Sequence, residues 1–172
     1  LSLGSGEFAL LLIGNDWKSK GLPCLLNAVG HIGDPDFRIL VVGRDNPAPF
    51  YNAIRKHGLT DRVQFLSPRP DVEFYYAAAD VYASPTREDS FGLPVAESMA
   101  CGLPVITSRA AGVSELIHSR EDGFVLEDPE DFLALVEILR LLKKDPRTRE
   151  RIAEKAVTTA RKLTWENTAA HI

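Results

Sequence analysis

The sequence predicts a doubly wound α/β fold: a parallel sheet of about six strands with helices on both faces, followed by C-terminal helices. Three observations carry that prediction. Short apolar bursts alternate with helical segments from residue 8 onward, the βαβα order that builds a parallel sheet with right-handed crossovers. Most bursts are apolar at consecutive positions rather than at every second one, as expected of strands covered on both faces. The chain has 172 residues, 45% hydrophobic and 26% charged, enough to enclose one core and far from the composition of disordered segments.

Residues 1–7, opening LSLGSG, read as the remnant of a linker, and one domain is expected over 8–172. The first strand is FALLLIG over 8–14, and the second is FRILVVG over 37–43. The remaining strands are VQFLS (63–67), VYASP (81–85), PVITS (104–108) and GFVLE (123–127). Helices are expected between them at about 21–32, 49–57, 71–79, 94–101 and 112–118. After the last strand the chain turns wholly helical. Residues 128–145 set Phe132, Leu135, Val136, Leu139 and Leu142 on one stripe, with acids in the first turn and Lys143 and Lys144 in the last. A second helix runs from Pro146 to Leu163, the proline suiting its first turn. The whole is a Rossmann-like layout.

Several function classes are excluded or demoted. A net charge of −4 offers no general basic field for nucleic acid. Cys24 and Cys101 form neither a CxxC nor a disulfide scaffold, and the default setting is reduced and cytoplasmic. The apolar run over 8–13 is too short to span a bilayer and lacks the basic flank of a signal peptide. No GxGxxG follows the first strand, which argues against a dinucleotide fingerprint. Asp34-Pro35-Asp36 precedes a strand, on the edge away from any crevice, and reads as a solvated turn. His31, His57, His118 and His171 have no paired nucleophile, and Cys101 before Gly102 reads as helix-end packing.

In an open parallel sheet, ligands bind beyond the carboxyl ends of the strands. Those ends carry Lys18 and Lys20, then Arg44, Arg69, Arg87 and Arg109, whereas the opposite edge carries Asp34, Asp36, Asp61, Asp80, Glu121 and Asp122. A small crevice of that sign, without an aromatic run, suits a nucleotide diphosphate better than nucleic acid. The segment TREDSFGLPVAESMACGLPVITS (86–108) is the most informative stretch. Leu93-Pro94 marks a helix entry, and Gly92 lets backbone approach a ligand, so the helix start forms an anion site. Asp89 and Glu97 flank it, eight positions apart. Carboxylates hold phosphate poorly but accept hydrogen bonds from a vicinal diol, and the combination points to a sugar nucleotide.

EDSFGLPVAESMACGLPVITS resembles the acidic-x7-acidic signature of the GT-B glycosyltransferases of family 4, retaining enzymes that use nucleotide sugars. The resemblance extends through IGNDWKSKGLPCLLNAV, RILVVGRDN, VQFLSPRPDVEFYYAAADVYASP and KLTWENTA, and covers the C-terminal, donor-binding half of that fold. It is nearest the lipopolysaccharide-core glucosyltransferase branch, which shares a G-x-D-aromatic-x-x-K-G loop. The resemblance implies that Lys20 contacts the diphosphate and balances charge on the departing nucleotide, and that Asp89 touches the donor sugar; these two are the expected catalytic residues. It implies that Ser90, Phe91, Gly92 and Leu93 present amides to sugar and phosphates, that Glu97 holds the ribose hydroxyls, and that Arg69 to Val72 face the base. Gly14 and Gly43, ending the first two strands, complete the donor-binding set.

Two departures stand out. Many relatives carry arginine after the first-loop glycine, where this chain has Asn15, so either Lys18 substitutes or the diphosphate site is weaker. The first acid is Asp89 rather than glutamate, with Glu88 adjacent. The resemblance further implies transfer of a hexose such as glucose from a UDP-sugar to a glycan or glycolipid, with no metal and no cofactor. An N-terminal acceptor domain is the expected partner, any membrane contact is expected only through it, and the isolated domain is expected to be inactive. A non-catalytic nucleotide-sugar-binding module of the same fold is the alternative.

Overall fold

A computed structural model of the chain describes residues 3, 4 and 6–162. Part of the expected linker, the last residue of the expected final helix (Leu163), His171 and all but Lys162 of the KLTWENTA segment lie outside the described residues.

Six strands form one parallel sheet: β1 (Phe8–Ile13), β2 (Phe37–Val42), β3 (Val63–Leu66), β4 (Val81–Ala83), β5 (Val105–Ser108) and β6 (Phe124–Leu126). Their order across the sheet is β3-β2-β1-β4-β5-β6, the doubly wound order expected of a Rossmann-like layout. β1 is the hinge of this topology. It pairs β2 along its whole length, from Phe8↔Phe37 to Ile13↔Val42, and on its other side pairs β4 through Leu10↔Val81 and Leu11↔Tyr82. The winding reverses between β1 and β4, so the loops leaving those two strands open a crevice at their carboxyl ends.

The consecutive apolar residues of the strands feed two cores. Leu10 and Leu12 face one, with Ile39 and Val41, beneath α1 (Leu22–Ile32), α2 (Tyr51–Lys56) and α5 (Phe132–Lys144). Ala9 and Leu11 face the other, with Leu40 and Val42, beneath α3 (Glu73–Ala77) and α4 (Leu93–Ala100). The two-residue period of a strand thus sends alternate side chains to opposite layers, and both layers are greasy.

α1 and α4 begin alike. Each follows a glycine in the left-handed region, Gly21 at φ 86° and Gly92 at φ 93°, and each then reads Leu-Pro. The glycine turns the chain sharply out of the preceding loop, and proline occupies the first turn, where its missing N–H is no loss. Both helix mouths therefore open beside the crevice.

The helical expectations need trimming. Residues 112–118 form a 3-10 turn over Gly112–Leu116 rather than an α-helix, and the 49–57 segment starts as a 3-10 turn over Ala48–Phe50. Both begin with small or proline-flanked residues that lack a side-chain cap to start a full α-turn. The 71–79 segment contracts to α3, and 128–145 becomes α5 from Phe132, because Asp131 caps it by accepting from Ala134 N–H at 2.9 Å. α5 passes directly to α6 (Pro146–Ala160) through Asp145, whose carboxylate accepts from Thr148 N–H at 3.0 Å. Lys143 near the end of α5 reaches back to Asp34 (2.6 Å) and Asp36 (2.9 Å) at the entry to β2. The Asp34-Pro35-Asp36 turn, on the edge away from the crevice, thus serves as a helix clasp. Among the described residues no helix is long and apolar enough to cross a membrane.

Candidate functional site

The β1–α1 loop is built on Trp17. Its ring is buried against Phe50 and Phe65, and its backbone N–H donates to Asp45 at 3.0 Å, so the loop is pinned at its centre. Asp16 accepts from Ser19 N–H at 2.9 Å and closes a tight turn that delivers Lys20 to the crevice. Gly14 makes room for it: a Cβ there would fall 2.8 Å from Lys20 Cγ. Gly43 lies so close to the Gly14 carbonyl that a side chain would overlap it. The two strand-end glycines therefore bring the loop backbones together.

The β4–α4 loop is stitched to this first loop. Ser84 donates to the Lys20 carbonyl at 3.0 Å, Thr86 Oγ1 to the Ser19 carbonyl at 3.1 Å, and Arg87 N–H to the same carbonyl at 2.7 Å. On its far side, Asp89 N–H donates to the Ala110 carbonyl at 3.0 Å, and Gly112 N–H to the Asp89 carbonyl at 3.1 Å. The loop is thus held between its two neighbours. At its centre Lys20 Nζ lies 2.6 Å from Asp89 Oδ2, both side chains about four-fifths buried. Asp89 Oδ1 also accepts from Phe91 N–H at 3.3 Å, shaping the turn into α4. Ser90, Phe91 and Leu93 are exposed around the helix mouth, whereas Gly92 is buried against Val113.

Glu97 stands one turn into α4, exposed on its outer face. Its Oε2 accepts from the buried Tyr76 hydroxyl at 2.6 Å. Burial, then that bond, push the Tyr76 hydroxyl far above the usual tyrosine range, so it stays a donor. Tyr82 on β4 is buried, which raises its hydroxyl as well, and it feels the charge of both Asp89 and Glu97. Tyr75, next to Tyr76, donates to the Ser67 carbonyl at 2.6 Å and anchors the loop after β3.

Every basic residue expected at the strand ends lies in the loops there, but the field they create is smaller than their number implies. Four of the six already face acids: Lys20 with Asp89, Arg69 with Asp71, Arg87 with Glu130 and Arg109 with Glu127. Arg69 also lies over the Phe74 ring, 4.3 Å from its centre, and Val72 packs on the core as the residue before α3. Asn15 has a structural task, its Oδ1 accepting from Arg44 N–H at 3.2 Å. Lys18 is exposed and lines a hollow of about 500 Å³ with Asp16, Asp45 and Phe50, beside α1 and α2. Cys101 is exposed rather than packed, because the left-handed Gly102 turns the chain immediately after it.

Sequence reasoning missed Trp17, Thr86, Tyr75, Tyr76 and the 110–112 backbone. The tyrosines carried a signal, two hydroxyl-bearing rings in the three-aromatic run Phe74-Tyr75-Tyr76, where core packing alone asks for no hydroxyl. Thr86 and the 110–112 backbone carried none, since their part is to hold loops distant in sequence.

The profile of the family described as "Glycosyl transferases group 1" matches residues 2–159. A D-inositol 3-phosphate glycosyltransferase of Thermomonospora curvata is 34% identical over 98% of this chain and 42% of its own length. The fold superposes on the crystal structure of WaaG, a glycosyltransferase involved in lipopolysaccharide biosynthesis, with a TM-score of 0.85 and 29% identity over 92% of this chain and 44% of that one. It also superposes on HepE from Anabaena in complex with UDP and glucose, with a TM-score of 0.81 and 25% identity over 91% of this chain and 44% of that one. The chain spans about two fifths of the length of the curated relatives it matches.

Proposed function

The chain belongs to the group 1 glycosyl transferases, and from that premise we propose that it is the nucleotide-sugar-binding domain of a retaining, metal-independent hexosyltransferase. Its donor is a UDP-sugar such as UDP-glucose, and its acceptor a glycan or glycolipid. The observation that carries the proposal is the convergence of Lys20, Asp89 and the α4 mouth at the point where the sheet reverses its winding, with Glu97 on the same helix. HepE, with UDP and glucose bound, supports the donor class.

In this reading Lys20 and the first-turn amides of α4 take the diphosphate and balance the charge that develops on the departing nucleotide. Asp89, released from Lys20, accepts from the hydroxyls of the sugar, and Glu97 accepts from the ribose diol. The loop from Arg69 to Val72 lies along the base through its backbone. Gly14 and Gly43 keep the loop backbones close, and Ser90 to Leu93 frame the sugar. The positive ends of Lys20 and α4 do the leaving-group work that a cation does elsewhere, so no metal enters the proposal. The acceptor is assigned to a second domain facing these loops, whose closure completes the site, so the isolated domain is proposed to bind donor without turning it over. A reduced cytoplasmic setting belongs to the same proposal and accords with two free cysteines.

The test is UDP titrated into the isotopically labelled chain and followed by NMR. Amide shifts are expected at Lys20, at Ser90 to Leu93 and at Glu97. Silence at both Lys20 and Glu97 with UDP in the millimolar range would overturn the donor site. The non-catalytic alternative is favoured by one observation, that Asn15 is occupied holding Arg44 rather than offering a charge. Asn15→Arg with Asp89→Glu then separates the readings: a sharp gain in UDP affinity marks a decayed site, and little change an intact one.

A further inference from the structure

Tyr75 and Tyr76 are neighbours on α3, equally buried, and each spends its hydroxyl differently. Tyr75 bonds a backbone carbonyl, that of Ser67, at 2.6 Å. Tyr76 bonds a carboxylate on another helix, Glu97, also at 2.6 Å. A buried tyrosine hydroxyl must find a partner, and a carbonyl would have served; here the partner is an exposed side chain that could have been left to water.

We propose that Tyr76 is a positioning residue for nucleotide recognition: its hydroxyl holds the Glu97 carboxylate in the one orientation that presents its remaining acceptor sites to the ribose diol. The inference rests on the reading of Glu97 given above and adds to it the residue that sets its geometry.

Glu97 has three side-chain torsions and an exposed position, so without a tether its carboxylate samples many rotamers, and binding a diol would have to select one. The Tyr76 bond makes that selection beforehand. It occupies one lone-pair site on Oε2 and leaves Oε1 and a second site on Oε2, as many as two adjacent hydroxyls require. A bond from O–H to a carboxylate at this distance is of the strong, charge-assisted kind. The Tyr76 hydroxyl, lifted by burial and by Glu97 itself, remains protonated at any pH the protein meets and so always has its proton to donate to Glu97. The donor is rigid as well, since Tyr76 is 1% exposed and wedged in the core beneath α4.

The test compares UDP with 2′-deoxy-UDP by calorimetry in the intact chain and three variants. Tyr76→Phe keeps the ring and the core. It is expected to weaken UDP binding about three- to tenfold and to lower the ratio of UDP to 2′-deoxy-UDP affinity by a similar factor, because only the ribo ligand uses the second hydroxyl. Tyr75→Phe removes an equally buried hydroxyl from the same helix and is expected to leave that ratio unchanged. If Tyr76→Phe leaves the ratio at its original value while Glu97→Gln lowers it, the positioning role is overturned and the donor reading stands. Equal losses of the ratio in both tyrosine variants would also overturn it, as a loosening of α3. If Glu97→Gln leaves the ratio intact, Glu97 is not the ribose acid, and both readings fall together.

Discussion

Lys20 and Asp89 neutralise each other in the crevice, at 2.6 Å and largely out of solvent. In the proposed donor site an anion would have to take Lys20 from Asp89, and the freed carboxylate would then need donors of its own, which sugar hydroxyls can supply. Under that proposal the pair couples two halves of one ligand. How accurately it forms depends on Gly14, whose backbone Lys20 lies against. Gly14→Ala would set a Cβ 2.8 Å from Lys20 Cγ, and its three nearest atoms all belong to that flexible side chain. The variant is expected to lose less than about 1 kcal/mol in denaturant unfolding, since only one side chain must move. It is expected to bind UDP about five- to tenfold more weakly, because Lys20 is pushed off its position. Unchanged affinity would mean that Lys20 reaches the ligand by another path. Lys20, Asp89 and Glu97 were legible as residue types at a spacing. Their tethers were not, because the Tyr76–Glu97 bond spans 21 positions and the Thr86–Ser19 bond 67.

At the scale of elements, the site is two helix mouths and three loops laced together. The lacing between β1–α1 and β4–α4 passes through Gly21, at φ 86°, where a Cβ would overlap the Pro85 carbonyl. Gly33 ends the same helix at φ 70° with nothing near its missing Cβ. The two therefore separate conformation from contact. Gly33→Ala is expected to cost about 1–2 kcal/mol, the left-handed penalty alone. Gly21→Ala carries the same penalty and must also displace backbone, so it should cost at least about 2 kcal/mol more in urea unfolding. Equal costs would show that the loops tolerate separation. Strands and their order of appearance were readable because two-sided burial writes a continuous apolar run. The 3-10 turn over Gly112–Leu116 was not, since an apolar pair with small neighbours fits either helix type at such length.

Across the whole molecule, the C-terminal helices pack their apolar stripes on the cores and are trimmed at their ends by carboxylates. Lys143 of α5 grips Asp34, Asp145 caps α6 through Thr148, and Lys155 of α6 meets Glu121 at 3.1 Å. Each of the three acids is held below its ordinary range: Asp34 by its bond from Lys143, Asp145 by the Thr148 amide and hydroxyl, and Glu121 by its bond from Lys155. A carboxylate with a depressed folded pKa stabilises the fold above its unfolded value and loses that contribution as pH falls through the folded one. Stability should therefore be insensitive to these groups at neutral pH and should decline as pH drops below the ordinary values, 4.5 for Glu121 and 3.8 for Asp34 and Asp145. The decline should begin in α5 and α6, while β1, β2 and α1 stay protected. Hydrogen exchange of the helix amides at a series of pH values measures this directly. Asp34→Asn supplies the internal check, because asparagine cannot ionise and so carries no such pH dependence. The variant should be less stable than the parent at pH 7, and the gap should close as both are acidified, leaving the two curves together at the lowest pH. A gap of constant size across the range would mean that the Lys143 clasp works by shape and not by charge.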